Sequence, residues 1–214
     1  SFVEGLRITD FETVKVVEEV LSIDINKKIV NDINSTGGKA EGFSGNKNGL
    51  IIAKKINIEN EENDSNITKI LDIGFVGKPV KINTSHIFKS IERGNIPVIA
   101  PLGIDEKGNT YNINADTVAG AIAVAVKASN LLLLTDVEGI LDENKKLISS
   151  LSFSDAKKII TKKYILGGMK PKILTCIDAI SKGVDKTTIL DGRISHALIL
   201  ELFTEHGIGT QIYS

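Results

Sequence analysis

Four stretches of this chain place charges and amides at spacings suited to holding an anion. Tyr111-Asn112-Ile113-Asn114-Ala115-Asp116 sets two amides and a carboxylate just ahead of an apolar, helix-like run from 117 to 128. Thr135-Asp136-Val137-Glu138-Gly139 follows four consecutive leucines, and Gly167-Gly168-Met169-Lys170-Pro171-Lys172 opens another helical pattern. Gly5-Leu6-Arg7 stands near the start. The first turn of a helix carries unpaired N–H groups and the positive end of the helix dipole, so it suits an anionic ligand. Each stretch also has a plainer account. An aspartate ahead of a helix is a common cap, and asparagine is a common turn residue. Asp136 to Gly139 can be a simple strand turn, and Arg7 and Lys172 can be solvated surface cations. A cation at a helix N-terminus is mildly unfavourable unless an anion is close, which favours a working role for Lys172.

Stepping along the chain identifies the elements that must position these groups. Thr9 and Glu12 have capping-box spacing, followed by Val14, Val17, Val20 and Leu21 at helical spacing. A second helix is expected over 24–35, ending at Gly37-Gly38. Residues 39–56 and 71–80 read as strands, with the polar segment 57–68 as a surface hairpin tip or loop between them. A helix over 85–93, a buried strand over 96–100 and a turn at 106–109 lead into the helix over 117–128. The four leucines 131–134 predict a strand buried on both faces. Helices over 154–163, 171–182 and 195–205 and strands over 187–190 and 210–213 complete the pattern. Strands alternating with helices of about 10 to 15 residues predict an α/β fold, a three-layer sandwich with a largely parallel central sheet. Ligands of such sheets sit at the carboxyl ends of the strands, where Arg7, Asn112, Asp116, Asp136 and Lys172 fall.

Composition narrows the function. With 214 residues, 42% of them hydrophobic, the chain can build a sizeable core, from Ile, Leu and Val because aromatics are few and Trp is absent. A net charge of −1 gives no electrostatic case for nucleic acid. No apolar run approaches the roughly 18 residues of a membrane span, and no signal peptide opens the sequence. The single cysteine, Cys176, falls in a helical apolar pattern and reads as a packed thiol, consistent with a reducing, cytoplasmic setting. No Walker A or G-x-G-x-x-G pattern follows a strand, His86, His196 and His206 have no metal-ligand spacing, and no Gly-x-Ser-x-Gly elbow occurs. No metal site is expected from the side chains.

The four stretches together resemble the acetylglutamate kinases of the amino acid kinase superfamily, over essentially the whole chain. The resemblance rests on Phe2-Val3-Glu4-Gly5-Leu6-Arg7-Ile8-Thr9-Asp10, on residues 111–116, on Leu133-Leu134-Thr135-Asp136-Val137-Glu138-Gly139-Ile140-Leu141 and on residues 167–172. It implies an amino acid kinase domain over 1–214 that transfers phosphate from ATP, with Mg²⁺, to the side-chain carboxylate of N-acetyl-L-glutamate, the second step of arginine biosynthesis. Such a step brings two anions together, so catalysis is mostly positioning and charge neutralisation. By resemblance, Lys172 stabilises the transferring phosphoryl group and Asp116 holds the catalytic lysines. Asn112 and Arg7 bind the acetylamino acid, Arg7 by a bidentate grip on its α-carboxylate. Asp136, Val137, Glu138, Gly139, Ile140 and Leu141, with Tyr164, Ile165 and Leu166, take the nucleotide.

The family's first strand carries Lys-Tyr/Phe-Gly-Gly, whose lysine is a second catalytic cation, and a further Gly-Gly-Gly loop wraps the substrate; neither occurs here. The family layout implies that roughly 75 to 80 N-terminal residues are missing, so these 214 residues alone are expected to be inactive. At the other end, residues 191–198 with Glu201 and Gly207-Ile208-Gly209-Thr210 resemble the branch inhibited by L-arginine, with His196, Glu201 and Gly207 in that site; the alternative is an ordinary amphipathic helix. The resemblance also implies a homo-oligomer, dimer or hexamer. Two alternatives remain open at this level: a sister kinase acting on another carboxylate, such as carrier-bound aminoadipate, and a non-catalytic arginine-binding regulatory fragment.

Overall fold

The structure, a computed structural model, describes residues 2–3, 6–61, 68–165, 167–204 and 207–214, with side chains from Ile8 onward except those of 58–61 and 68–71. Two compact units divide within one helix, Ser1–Val118 and Ala119–Ser214.

The first unit opens with a hairpin, β1 (Phe2–Val3) against β2 (Leu6–Arg7). Two helices, α1 (Phe11–Glu19) and α2 (Asn26–Ser35), are joined without a break by a wider π-helical turn, Val20–Ile25. The expected pair of helices is therefore one continuous rod. Asp10 caps it, accepting from the Thr13 N–H at 2.7 Å. Thr9, expected as the cap, is fully buried and engaged elsewhere: its N–H donates to Ile73 O and its carbonyl accepts from Phe75 N. The rod ends at Thr36, and Gly37 follows at φ +90°, as its sequence position predicts. Buried Asn26 ties the rod to two strands by donating to Phe43 O and Val98 O.

Those strands, β3 (Ala40–Ser44) and β6 (Ile96–Ala100), pair in parallel, with α3 (Ser85–Glu92) between them in the chain. A long antiparallel hairpin, β4 (Ile51–Glu61) and β5 (Thr68–Ile82), closes a small barrel with β7 (Leu102–Ile104) and β8 (Thr110–Asn112). Both hairpin strands reach into the segment expected to be loop; residues 62–67, its tip, lie outside the described residues.

The β7–β8 turn is held by one carboxylate. Asp105 accepts from the N–H groups of Lys107 and Asn109, from Asn109 Nδ2 and from the Tyr111 hydroxyl, all at 2.8–2.9 Å. Partial burial alone would raise its pKa, but these donors outweigh it and hold the pKa at about 2. A folded pKa below the unfolded one means the stabilisation is present above about pH 4 and fades as pH falls towards 2. Asp105→Asn is therefore expected to cost about 1–2 kcal/mol at pH 7, allowing for solvent screening. In thermal unfolding of both proteins, the gap should close as pH is lowered from 5 to 2; a gap independent of pH would contradict this account.

The second unit begins inside α4 (Ala115–Ala125). Its sheet runs β10 (Ser150–Ser152), β12 (Thr210–Tyr213), β11 (Lys186–Asp191), β9 (Asn130–Thr135). β10/β12 and β9/β11 are parallel and β11/β12 is antiparallel, so the sheet is mixed, with parallel pairs as the alternating pattern predicts. Helices α5 (Phe153–Ile159) and α6 (Met169–Ser181) pack on a core that includes Ile140, Ile173, Cys176, Ala179, Ile189 and Ile212, all fully buried. Cys176 is thus a packed residue, as expected. Gly120 brings α4 close to α6: a Cβ there would lie 2.7 Å from the Thr175 methyl. The leucine strand is buried on one face only. Leu131 and Leu133 face the core while Leu134 is 47% exposed, because the strand alternates sides. The last helix, α7 (Ala197–Phe203), is shorter than expected; His196 before it is left-handed at φ +61°.

Candidate functional site

The carboxyl end of β9 and the amino end of α6 line one cavity of about 310 Å³ in the second unit. Thr135, Asp136, Val137, Gly139 and Leu141 supply one wall; Tyr164, Ile165, Gly168, Met169 and Lys172 supply the other. That volume is at the small end of ligand pockets. Seven residues predicted for nucleotide or phosphoryl group therefore share one cavity: Asp136, Val137, Gly139, Leu141, Tyr164, Ile165 and Lys172. Ile140 instead turns into the core, fully buried, and Glu138 is exposed beside the cavity without lining it. Leu166 lies outside the described residues. Thr135, Gly168 and Met169 line the cavity although only their motifs, not their roles, stood out in sequence.

The wall after β9 is pinned from behind. Thr210 on β12 accepts the Ile140 N–H at 2.8 Å. Gly139 sits at φ +150°, and a Cβ on it would come within 2.6 Å of the Thr210 hydroxyl. Leu141 bridges to Leu147 across a tight turn in which Asp142 accepts from Asn144 and Lys146. The loop is thus set by its packing on the sheet before any ligand arrives.

On the opposite wall, Gly167 is left-handed at φ +55° and Gly168 begins α6 with no side-chain cap. The first-turn N–H groups of this 13-residue helix form the kind of end that accepts an anion. Lys172 stands in that first turn and on the cavity wall, so cation and helix end act on the same space.

In the first unit, Asn112 ends β8, and its Nδ2 donates to the Thr9 hydroxyl at 3.4 Å. Thr9 lies two residues beyond Arg7, whose backbone pairs with Phe2 in the β1–β2 hairpin; the Arg7 side chain is outside the described part. The two acceptor-binding residues expected from sequence are therefore tied to one strap. Asp116 lies inside the first turn of α4, partly buried. The cap there is Asn114, which accepts the Thr117 N–H at 3.1 Å. Asp116 is consequently not needed as the cap.

The tail residues also come together. Glu201 accepts the N–H groups of Ile208 at 2.8 Å and Gly209 at 3.3 Å, and a Cβ on Gly207 would meet its carboxylate at 2.7 Å. Glu201 thereby folds the 207–209 turn onto α7, a structural task that sequence alone did not suggest. Among the described residues no group of three His, Cys, Asp or Glu converges to hold a metal, and no helix is long and apolar enough to cross a membrane.

The sequence profile of the amino acid kinase family matches residues 2–191. The chain belongs to the amino acid kinase family. Within that family it is 54% identical to the acetylglutamate kinase of Rhodospirillum centenum over 99% of this chain and 70% of that enzyme. It is 53% identical to the acetylglutamate kinase of Lawsonia intracellularis, over 99% of this chain and 71% of that enzyme. In fold it matches the N-acetylglutamate synthase of Neisseria gonorrhoeae with a TM-score of 0.85 at 23% identity, over the whole of this chain and 46% of that one. The amino acid kinase fold expected from the motifs is the fold found. A kinase of this family uses ATP.

Proposed function

We propose that this chain is an acetylglutamate kinase: it catalyses ATP-dependent phosphorylation of the side-chain carboxylate of N-acetyl-L-glutamate, in arginine biosynthesis. Identity of about half to the acetylglutamate kinases over nearly the whole chain supports the reaction. The observation that carries the site is Lys172, placed on the wall of the 310 Å³ cavity at the start of α6. In the reaction an oxygen of the acceptor carboxylate bonds to the γ-phosphorus, the bond to the β–γ bridging oxygen breaks, and ADP leaves with that electron pair. The products are an acyl phosphate and ADP, and no proton needs to be removed from a carboxylate nucleophile.

The nucleotide occupies the cavity, with its base and ribose against Asp136 to Leu141 and Tyr164–Ile165, and its phosphates towards Lys172 and the helix end. Lys172 neutralises charge that grows on the transferring phosphoryl oxygens. Asp116 is the orienting carboxylate of the reaction, and Asn112 and Arg7 bind the acetylamino acid. No acidic cluster among the described residues forms a metal cage; Mg²⁺ would come held by the phosphates, as is usual for this ion. The setting is cytoplasmic.

Val16, Val20 and Ile23 are exposed along the rod at spacings of four and three, a contiguous apolar stripe of the sort that marks a protein interface. A second copy of the chain covers it, giving a homo-oligomer. Glu201, His196 and the Gly207 turn form a site for L-arginine, whose cationic guanidinium suits the Glu201 carboxylate.

The test is a coupled ADP-release assay on the full-length protein, with acetylglutamate, glutamate and an aminoadipate derivative as acceptors and with arginine titrated in. Turnover with acetylglutamate well above the other two, reduced by arginine, is the expected result. Preference for the aminoadipate compound would transfer the chain to a sister activity. Insensitivity to arginine would remove the regulatory part and leave the kinase intact.

A further inference from the structure

The end of β11 carries an ion pair that the reaction as described does not use. Asp191 is 5% exposed and lies in register with Thr135, the last residue of β9. Gly192 N–H continues the pairing to Thr135 O at 2.9 Å. Arg193 then folds back: its backbone N–H and Nε both donate to Asp191 Oδ1 at 2.9 Å, and Nη2 donates to Oδ2 at 2.7 Å. This is a bidentate fork on a buried carboxylate, the arrangement that fixes a guanidinium plane most firmly. The pair holds the Asp191 pKa at about 2.

The fork uses only part of the guanidinium. Five N–H bonds are available and two side-chain donors are engaged, so the remainder faces outward from a side chain that is 67% exposed. Arg193 lies two residues past Asp191, whose register partner is Thr135, and Asp136 and Glu138 lie in the loop that follows Thr135. Asp136 lines the cavity. Asp191 foremost, and these two carboxylates to a lesser degree, raise the Arg193 pKa. Asp136 thus lines the cavity, Glu138 is exposed beside it, and buried Asp191 pairs in register with the lining residue Thr135.

We propose that Arg193, fixed by Asp191, is a positioning residue for the nucleotide: it offsets the carboxylates of the 136–138 loop so that the cavity accepts a polyanion. Without that fixed cation, Asp136 on the wall and Glu138 beside it would oppose the incoming phosphates, while Lys172 stands on the opposite wall. The inference rests on the ATP-dependent reading above and adds to it a residue and its role.

The experiment measures ADP affinity by calorimetry, with KM for ATP and for acetylglutamate, on the full-length protein and its variants. Arg193→Gln is expected to weaken ADP and raise the ATP KM about ten-fold, the scale of one lost charge-assisted pair, with the acceptor KM unchanged. The gap to wild type should narrow as salt rises from roughly 0.05 to 0.5 M, because screening shortens the reach of the loop carboxylates. Arg193→Lys keeps the charge and should recover much of the affinity. Arg193→Gln combined with Glu138→Gln should also recover it, which a purely structural arginine would not allow. Should Arg193→Gln fail to fold, exposed Glu138→Gln alone decides: it should tighten ADP about two- to three-fold by removing one repelling charge. Unchanged ADP affinity in Arg193→Gln or in Glu138→Gln, or equal rises in both KM values without rescue, would overturn the proposal. A wild-type protein that neither binds ADP nor phosphorylates acetylglutamate would instead overturn the kinase reading, and this inference with it.

Discussion

Replacing Lys172 with alanine is expected to lower kcat on the order of 10²-fold or more, the usual loss when one preorganised electrostatic partner of a transition state is removed. The acceptor KM should move far less. Lys172 stands in the first turn of α6 on the cavity wall, a position where a cation is unfavourable until an anion arrives. Its contribution is greatest when charge is most concentrated, in the transition state, and such interactions register in kcat. Alanine is also a better helix former, so the thermal midpoint is expected to change little. That separates loss of chemistry from loss of fold. Steady-state kinetics and a thermal melt of the same preparation check it, and a variant with near-normal kcat would remove Lys172 from the reaction.

Gly74→Ala should be the most damaging small substitution in the first unit. Gly74 sits at φ +80°, where an L-residue is strained, and its added Cβ would lie 2.0 Å from the Thr9 carbonyl oxygen. Backbone on both sides is fixed: Thr9 N–H donates to Ile73 O at 3.0 Å and Phe75 N–H donates to Thr9 O at 2.6 Å. Neither atom can withdraw without breaking a buried hydrogen bond. Backbone strain and the lost bond together suggest a cost on the order of 3 kcal/mol. The consequence reaches binding, because the strap that Gly74 receives leads back to Arg7 and holds the Thr9 hydroxyl to which Asn112 donates. Where the variant still folds, the KM for acetylglutamate should rise several-fold more than that for ATP, whose cavity belongs to the second unit. Denaturant unfolding and paired KM values test both parts; equal rises in the two KM values would show that the strap does not serve the acceptor.

The physical theme common to these sites is that backbone placement precedes charge. Gly139 against Thr210 and Gly74 against Thr9 both allow two backbones to approach more closely than a Cβ permits. Each then presents a loop whose side chains belong to the proposed chemistry. Arg193 is likewise fixed in place, by a bidentate fork on the buried Asp191 carboxylate.

The sequence by itself determined the family, the alternation of strands and helices, and the two motifs that meet at the cavity. These are local properties: the residue types from Thr135 to Leu141 read as a strand end with its turn, and those from Gly167 to Lys172 as a helix start, without reference to the rest of the chain. Tertiary structure alone decided which members of a motif face the ligand. Ile140 turns into the core between two cavity residues, and Leu134 is exposed in a strand that looked buried throughout, because a strand presents alternate sides and only packing says which side is covered. It also decided partners distant in sequence. Thr9 has ideal capping spacing, yet its backbone is taken by β5, more than sixty residues away, so Asp10 caps instead. Glu201 stands in the sequence as a candidate for the L-arginine site and Arg193 in the same tail motif, while the fold gives each of them a hydrogen-bonded partner. Glu201 closes the 207–209 turn onto α7, and Arg193 forks onto Asp191 two residues before it; both contacts are short-range, and their geometry is set by how the chain turns after α7 and after β11.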